Sequence, residues 1–296
     1  MKISVRVPAT TANLGPGFDC LGLALDLWAT VTVETTSKAN DPEPRSARLV
    51  RQGIEAVFES AGKAPELTVS WDATVPIARG LGASAALRVA GLLAGNALLG
   101  GVHNAETLLE MGTKLEGHPD NVAPCMFGGL QINVRPALSL SNGSEGGVVH
   151  LASPLPDGLQ VVLFVPEFEM PTQESRRRLP RQLSREDAVF NLSHVALLVA
   201  ALAAGRFDLL DEATQDRLHQ PIRGEIFAGL KPIMAAAKDG GAAAAYLSGA
   251  GSTVAAFVEH DAERVARLMT QAALAHGFSG RSLITKPTSR SAHIVQ

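Results

Sequence analysis

The chain has 296 residues, of which 46% are hydrophobic and 19% charged, so it is long and apolar enough for one large or two ordinary domains. Its formal net charge of −3 argues against a protein that binds duplex nucleic acid, because such proteins carry a basic face. The two cysteines, Cys20 and Cys125, stand at no metal-ligand spacing and suit a reducing compartment.

The N-terminal residues alternate like a strand and lack the apolar stretch of a signal peptide. The most apolar segment, residues 195–205, is too short to span a bilayer, and Asn191, Ser193 and His194 precede it. We therefore expect a cytoplasmic protein that binds neither nucleic acid nor a membrane.

Strands and helices are predicted in turn along the first half of the chain. Period-two alternation and β-branched residues predict strands at 3–9, 29–35, 66–76, 128–134 and 147–153, with a surface loop at 141–147. Helical spacing predicts helices at 49–61, 83–100 and 104–117. The last of these begins at Asn104 as a cap, with Glu106 in its first turn.

A domain seam is predicted at 152–158, and a second mixed half follows it. Strands are predicted at 159–166 and 279–287, with two more around a glycine turn within 243–260. Helices are predicted to begin within 171–180 and to cover 185–205, with Ser184 as cap, and 261–277. Helices and strands mixed in two halves indicate the α+β class, and we divide the chain into residues 1–154 and 155–296.

A glycine-rich stretch, PIARGLGASAA at 76–86, joins a predicted strand to a predicted helix. It fits neither the Walker loop nor the dinucleotide fingerprint. Glycines nevertheless let a backbone approach an anion, and the first amides and the dipole of a helix favour negative charge. Ser84 offers a hydroxyl to a phosphate or to Mg²⁺, and Arg79 a rim charge. The alternative is a tight turn whose small residues merely permit close packing.

Three motifs in this chain resemble those of the GHMP kinases. The stretch at 76–86 is similar to the family's second motif, with Ala83 replacing its first serine and Ser84 keeping its second. Residues 7–25 resemble the first motif, and residues 247–257 resemble the third, from which Ala250 and Ser252 depart. The resemblance implies a two-domain α+β kinase with a ribosomal-S5-like N-terminal domain and a ferredoxin-like C-terminal domain. It also implies an ATP site formed by Pro76, Ile77, Ala78, Arg79, Gly80, Leu81, Gly82, Ala83, Ser84, Ala85 and Ala86.

The segments NLGPGFDCLG and EGHPDNVAP resemble the homoserine kinase branch of this family, which implies ATP and L-homoserine as ligands. A zwitterion with a hydroxyl needs an anionic group for its ammonium and arginine for its carboxylate. By the resemblance, Asp19 takes the ammonium, and Arg176 and Arg223 take the carboxylate. The full set of implied substrate contacts is Asn13, Asp19, His118, Asp120, Asn121, Thr172, Arg176, Arg223 and Gly249.

Each of these residue types also has an ordinary structural explanation. An aspartate beside glycine and proline is often only a turn cap, and the arginine run 176–178 suits a solvated helix face. The joint pattern, rather than any single residue, carries the functional interpretation.

The resemblance also implies the catalytic parts. Asp120, Asn121 and Arg176 are the candidates for a direct part in catalysis, with Asn121 orienting the acceptor hydroxyl. Mg²⁺ prefers a carboxylate, a hydroxyl and phosphate oxygens. By the resemblance, Ser84 and Glu116 are its ligands, with Glu110 in reserve. We predict catalysis by metal and positioning, without a dedicated protein base.

Two other functions stay open at this point. One is another GHMP kinase whose acceptor, like mevalonate, has no ammonium group. The other is a sensor that binds nucleotide or amino acid without turnover. The departures from the family motifs at Ala83, Ala250 and Ser252 favour this alternative. The oligomeric state, a homodimer included, is also open.

Overall fold

The computed structural model describes residues 1–36, 44–59, 61–62, 64–72, 75–76, 78–135, 147–170 and 172–295, without the side chains of 172 and 173. The predicted loop at 141–147 lies outside the described residues except at its last position, and so do Ile77 and the side chain of Thr172. The comparisons below concern the described part alone.

The first half of the chain forms an antiparallel sheet covered by helices. The order of its strands is β10-β1-β2-β4-β5, with β3 also paired to β2. The strands are β1 Lys2–Ala12, β2 Leu21–Thr35, β3 Leu67–Trp71, β4 Leu130–Val134, β5 Val149–Ser153 and β10 His293–Ile294. The helices are α1 Arg45–Phe58, α2 Ala83–Leu98, α3 Ala105–Glu116 and α4 Val122–Phe127.

Helix α2 packs closely against α1. A Cβ on Gly91 of α2 would lie 2.0 Å from the Val50 carbonyl oxygen, and a Cβ on Gly53 of α1 would lie 2.3 Å from the Arg88 carbonyl oxygen. Only glycine permits this approach of two helix backbones. The crossing fixes α2 over the sheet and so fixes the position of its N-terminus.

The second half forms another antiparallel sheet, in the order β7-β8-β6-β9. Its strands are β6 Gln160–Pro166, β7 Ala244–Leu247, β8 Val254–Val258 and β9 Gly280–Thr285. Alternate residues of β6 face opposite cores, since Val161 and Leu163 join the core of the first half and Val162 and Phe164 the core under α9 and α10. The helices are α5 Thr172–Arg177, α6 Arg185–Ala204, α7 Leu210–Ala213, α8 Gln220–Ile226, α9 Leu230–Asp239 and α10 Ala262–Ala275, with a 3₁₀ turn at Phe207–Leu209.

The sequence-based division at 154/155 falls between β5 and β6. The end of the chain then returns to the first sheet, because His293 pairs with Arg6 and Ile294 with Val5 of β1. The first sheet is therefore completed by residues that the division had placed in the second half.

Both predicted helix caps are confirmed. The Asn104 side chain accepts a hydrogen bond from the Thr107 amide, and the Ser184 side chain accepts one from the Asp187 amide. The short helices α4, α7, α8 and α9 were not predicted, and neither was β10. Helices of four to ten residues offer too few turns for a hydrophobic period to stand out.

Helix α6 confirms the helix predicted at 185–205 to within one residue. Among the described residues it is the one helix that is long and apolar enough, by length and composition, to cross a membrane, although 28% of its most apolar window is buried. Residues 195–205, which the sequence analysis judged too short to span a bilayer, form only the second half of this helix. In its first half, the Asn191 side chain donates to Asp216 and the His194 ring is hydrogen-bonded to Glu212.

Candidate active site

A cleft with a cavity volume of about 110 Å³ lies where the two halves meet. Fourteen of the predicted site residues line it: Asn13, Asp19, Ala78, Gly80, Gly82, Ala83, Ser84, Glu116, His118, Asp120, Asn121, Arg176, Arg223 and Gly249. Phe18, Arg45, Ala250 and Gly251 line it as well. A larger cavity of about 500 Å³ at the seam near Pro154 and Lys286 includes none of the predicted site residues that the structure describes.

One end of the cleft is the N-terminus of α2. Gly80 and Gly82 have φ of 78° and 65°, a region in which L side chains are strained. A Cβ on Gly80 would lie 2.2 Å from the Ser248 carbonyl oxygen, and one on Gly82 would lie 1.8 Å from Thr10 Oγ1. The first amides of a helix lack partners within the helix and attract anions. This end of the cleft is therefore suited to binding a phosphate group through backbone amides, without the lysine of a Walker loop.

Ser84 and Glu116 meet beside this helix start. Ser84 Oγ donates to Glu116 Oε1 at 2.5 Å, and Arg88 donates to the other Glu116 oxygen. Arg88 is held in turn by Gln52 Oε1 at 3.2 Å. A hydroxyl and a carboxylate are donors that fit Mg²⁺. Glu110, the reserve candidate, is exposed and lies outside the residues that line the cleft.

Arg79 does not line the cleft. Its guanidinium donates to the Pro166 and Glu167 carbonyl oxygens at 3.0 and 2.5 Å and lies 3.3 Å from the Glu169 carboxylate. We expected Arg79 to place a positive charge at the rim of a phosphate site. In the structure its guanidinium instead joins the glycine-rich loop to the end of β6.

Four other residues of the glycine-rich stretch also stand apart from the cleft. Leu81, Ala85 and Ala86 belong to the hydrophobic core, and Pro76 is half-buried outside the lining residues. Their contribution is to place the loop rather than to contact a ligand.

The other end of the cleft is the loop at residues 13–19, which we name the acceptor loop after the expectation that the acceptor substrate binds there. Asn13, Leu14 and Asp19 all have positive φ, between 48° and 69°, so the loop is strained and needs support. Asn13 supplies it, because its side chain accepts from the Asp19 amide at 3.0 Å and donates to the Gly249 carbonyl oxygen at 3.0 Å. The Asp19 carboxylate is thereby presented to the cleft, where it pairs with Arg176 through both of its oxygens.

Arg223 brings a buried positive charge to the same end. It is 2% exposed, and its NH1 group donates to the Gly249 carbonyl oxygen at 3.0 Å and to His219 Nδ1 at 2.9 Å. Its Nε has no partner among the described residues. Burial and, after it, the charge of Arg176 lower the pKa of Arg223 to about 10, against the opposing charges of nearby aspartates. Arg223 is still cationic at neutral pH and has a free donor for an anion.

His219 supports Arg223 as a neutral ring. Burial lowers the pKa of His219 to about 4, and the charge of Arg223 acts in the same direction, against the opposing effect of Asp216. Its Nε2 donates to the Gly15 carbonyl oxygen at 2.8 Å while Nδ1 accepts from Arg223. One ring therefore joins the acceptor loop to the buried arginine.

A polar network lies between the two ends. Asp120 is 2% exposed and accepts from His118 Nδ1 and from Asn121 Nδ2. Asn121 Oδ1 accepts from Thr10 Oγ1 at 2.7 Å. Burial lowers the pKa of His118, but its hydrogen bond to Asp120 and the nearby carboxylates raise that pKa by more, so the net direction is upward. The His118–Asp120 pair is consequently favoured in its charged form.

The turn between β7 and β8 braces both ends. Ser248 Oγ donates to the Gly80 carbonyl oxygen at 2.6 Å, and the Thr253 amide donates to the Arg79 carbonyl oxygen at 3.0 Å. The Gly249 amide donates to the Ala12 carbonyl oxygen at 2.9 Å, just before the acceptor loop. The third motif thus holds the first and second motifs in place, mostly through backbone groups.

Arg88 and Phe18 are contributions that the sequence analysis missed. Arg88 lies four residues after Ser84 on α2, a spacing that places both on one face, and that spacing was a usable signal. The guanidinium carbons of Arg176 and Arg223 lie 5.1 and 5.5 Å from the centre of the Phe18 ring, within cation–π distance. Long-range contacts of this kind leave no local pattern in the sequence.

Comparisons with known proteins show the family to which the chain belongs. The chain matches the GHMP kinases N terminal domain over residues 48–129 and the GHMP kinases C terminal domain over residues 198–275. The chain therefore belongs to the GHMP kinase family.

Its relatives place it among the homoserine kinases of that family. It is 37% identical to the homoserine kinase of Desulfitobacterium hafniense, over 99% of this chain and 100% of that one. It is 41% identical to the homoserine kinase of Moorella thermoacetica, over 90% and 91% of the two chains. The crystal structure of homoserine kinase from Cytophaga hutchinsonii matches it with a TM-score of 0.85 at 27% identity, over 99% of this chain and 97% of that one.

Proposed function

We propose that the chain transfers the γ-phosphoryl group of ATP to the side-chain hydroxyl of L-homoserine, forming O-phospho-L-homoserine on the route to threonine. One observation carries the proposal: a single cleft joins a helix N-terminus with Ser84 and Glu116 to an acceptor end with Asp19, Arg176 and Arg223. The first end suits a nucleotide phosphate, and the second suits a zwitterion.

At the acceptor end, an ion pair is exchanged when the substrate binds. Without substrate, Asp19 and Arg176 neutralise each other. A bound amino acid gives its ammonium to Asp19 and its carboxylate to Arg176 and Arg223, so each protein charge keeps a partner. Thr172, whose side chain lies outside the described residues, joins this set as a further proposed contact.

At the phosphate end, Ser84 and Glu116 would hold Mg²⁺, which neutralises phosphate charge when bound. The amides at the start of α2 orient the phosphates, and Arg88 keeps Glu116 beside Ser84. Asn121, fixed by Thr10, orients the acceptor hydroxyl. The Asp120 carboxylate is occupied by His118 and Asn121, so we assign it to binding and positioning rather than to proton abstraction.

The remaining assignments follow from the same proposal. Residues 1–154 form the nucleotide half and residues 155–296 the second half, with His293–Ile294 contributed back to the first sheet. The reaction would take place in the cytoplasm, where ATP and the amino-acid precursors are found.

A coupled assay of ADP release tests the proposal directly. The purified chain is given Mg-ATP with L-homoserine, mevalonate, galactose, L-threonine or no acceptor. Release that depends on homoserine is expected. Release with mevalonate instead would keep the kinase and overturn the roles of Asp19, Arg176 and Arg223. Binding of ATP without turnover of any acceptor would favour the sensor.

A further inference from the structure

The ring of Phe18 lines the cleft beside both arginines of the acceptor end. The guanidinium carbon of Arg176 lies 5.1 Å from the centre of this ring, and that of Arg223 lies 5.5 Å from it. The face of an aromatic ring is electrostatically negative and attracts a cation within about 6 Å. One uncharged side chain is therefore within attractive distance of both cations that we assign to the substrate carboxylate.

The two arginines repel each other, and the pKa of Arg223 reflects this repulsion. After burial, the charge of Arg176 is the second cause that lowers the pKa of Arg223 to about 10. The Arg176 side chain is 41% exposed, so water competes for its guanidinium, and it loses rotamer freedom when it is held in one place. A site that keeps two cations together before its anion arrives therefore needs an attractive group for each of them.

The ion pair between Arg176 and Asp19 cannot fill this need while the substrate binds. Arg176 donates to both Asp19 oxygens in the structure, but the proposed function gives the Asp19 carboxylate to the substrate ammonium. Arg176 then shares that carboxylate with a second cation. The ring of Phe18 carries no charge to exchange, so its attraction for Arg176 persists throughout binding.

The turn that carries Phe18 is tightly closed. The Leu21 amide donates to the Gly17 carbonyl oxygen at 2.9 Å, and a Cβ on Gly17 would lie 2.5 Å from Leu21 Cγ. The centre of the Phe18 ring lies 5.4 Å from that of the His219 ring, which in turn accepts a hydrogen bond from Arg223. The ring is consequently held in position from its own backbone and from the side of Arg223.

We propose that Phe18 is a positioning residue of the acceptor site, whose ring holds Arg176 and Arg223 together for the substrate carboxylate by attracting both guanidinium groups. The inference rests on the proposed function, which assigns the carboxylate to these two arginines. Phe18 acts on the substrate through the arginines and makes no hydrogen bond with it. Loss of the ring should thus weaken acceptor binding equally before and during phosphoryl transfer, which raises KM and leaves kcat unchanged.

Steady-state kinetics of Phe18→Leu test the proposal. Leucine keeps an apolar side chain and removes the aromatic face, so the KM for L-homoserine is expected to rise about tenfold. The kcat and the KM for ATP should stay within about twofold of the wild-type values. Phe18→Tyr restores the aromatic face and should bring the KM for homoserine back to within about threefold of wild type.

Trp28→Leu is the matched control. The guanidinium carbons of Arg6 and Arg290 lie 5.1 and 5.5 Å from the Trp28 ring, the same two distances as at Phe18, but these three residues do not line the cleft. This substitution should leave the KM for homoserine unchanged. Thermal unfolding checks that each variant folds.

A fluorinated series separates the attraction of the ring from its shape. Phe18 is replaced by 4-fluoro-, 3,5-difluoro- and 3,4,5-trifluorophenylalanine through a suppressed stop codon at this one position. Fluorine withdraws electron density from the face of the ring and changes its volume little, so the attraction for a cation falls with each fluorine. The KM for homoserine should rise stepwise along the series, and the KM for ATP should not.

An acceptor without a carboxylate shows where the ring acts. 3-Aminopropan-1-ol has the ammonium and the hydroxyl of homoserine and lacks its carboxylate. Phe18→Leu is expected to lower kcat/KM about tenfold for homoserine and less than about twofold for 3-aminopropan-1-ol. An equal loss with both acceptors would place the action of the ring elsewhere and overturn the proposal.

The outcomes distinguish this inference from the proposed function. If the wild-type chain phosphorylates homoserine while Phe18→Leu keeps its KM, or while the fluorinated series gives one constant KM, the role of Phe18 is overturned and the kinase remains. If the wild-type chain releases no ADP in response to homoserine, the proposed function fails and this inference fails with it.

Discussion

The two ends of the cleft are lined by different kinds of chemical groups. The phosphate end consists of backbone and small residues, with Gly80 and Gly82 giving access to the start of α2. The acceptor end consists of charged side chains, Asp19, Arg176 and Arg223, held by a strained loop and a buried histidine. The first end tolerates little change in shape, and the second depends on charge. This difference predicts that substitutions at the two ends will fail in different ways.

The largest effect is expected from Gly82→Ala. The added methyl group would lie 1.8 Å from Thr10 Oγ1 at a φ of 65°, so the start of α2 must move. A displacement of about 1 Å at a reacting centre costs about 100-fold in rate. Calorimetry should show weakened ATP binding, with acceptor binding much less affected.

Gly100→Ala is the matched control for that substitution. Gly100 also has a positive φ, 90°, but a Cβ there meets nothing within 4 Å. If both variants lose ATP binding equally, the loss is explained by general destabilisation of the fold. It would then not be explained by a change in the shape of the phosphate end.

At the acceptor end, Arg223→Met removes the buried charge while keeping most of the side-chain volume. The KM for homoserine is expected to rise about 100-fold, because a buried charged partner of this kind contributes several kcal/mol. The KM for ATP should stay near its wild-type value. Arg178→Met, at an arginine that is 53% exposed and paired with Glu174, is the control, and an equal effect there would contradict the role of Arg223.

A smaller effect is expected from Glu116→Gln, which keeps the shape of the side chain and removes its charge. The Mg²⁺ concentration needed for half-maximal rate should rise about tenfold or more, and Arg88→Met should raise it by a lesser factor, as loss of supporting groups does. Titration of activity and of Mn²⁺ binding by electron paramagnetic resonance would measure both. Glu110→Gln, at an exposed position, should change neither the Mg²⁺ requirement nor Mn²⁺ binding. A change in either quantity would make Glu110, rather than Glu116, the metal ligand.

Asp120→Asn is expected to change kcat by less than about tenfold, because the reaction depends on positioning and metal rather than on a carboxylate base. Steady-state kinetics with saturating ATP decide the matter. A collapse of kcat with unchanged KM would make Asp120 the base.

The smallest expected effect concerns stability rather than rate. The pKa of His219 in the folded chain is lowered to about 4 from an ordinary value of 6.5, so the unfolded chain binds the extra proton first. His219 therefore contributes stability that is full above about pH 6.5 and declines as the pH falls towards 4. Urea unfolding across this range should give a shallower dependence for His219→Gln than for the wild type. Equal slopes would contradict the assignment.

The sequence predicted the two ends of the cleft unequally. Glycine positions, cap residues and hydrophobic periodicity can be recognised within a few consecutive residues. The glycine-rich loop, α2 and the caps at Asn104 and Ser184 could therefore be predicted from the sequence. The actual partners of Arg79 were not, because the Pro166 carbonyl oxygen lies 87 residues away in the chain. Asp19 and Arg176 are 157 residues apart, and only a family resemblance brought them together before the structure did. Contacts of that length depend on topology, which local patterns do not contain.

The pairing of β1 with the last strand has a consequence for how the chain is made. Val5 and Arg6 have been synthesised long before their partners Ile294 and His293. Until then, one edge of β1 has no strand to bond, and an open edge invites pairing with other chains. Although N-terminal halves generally fold first during synthesis, this one cannot close its sheet early. The first sheet therefore reaches its final form only after the second half has been made.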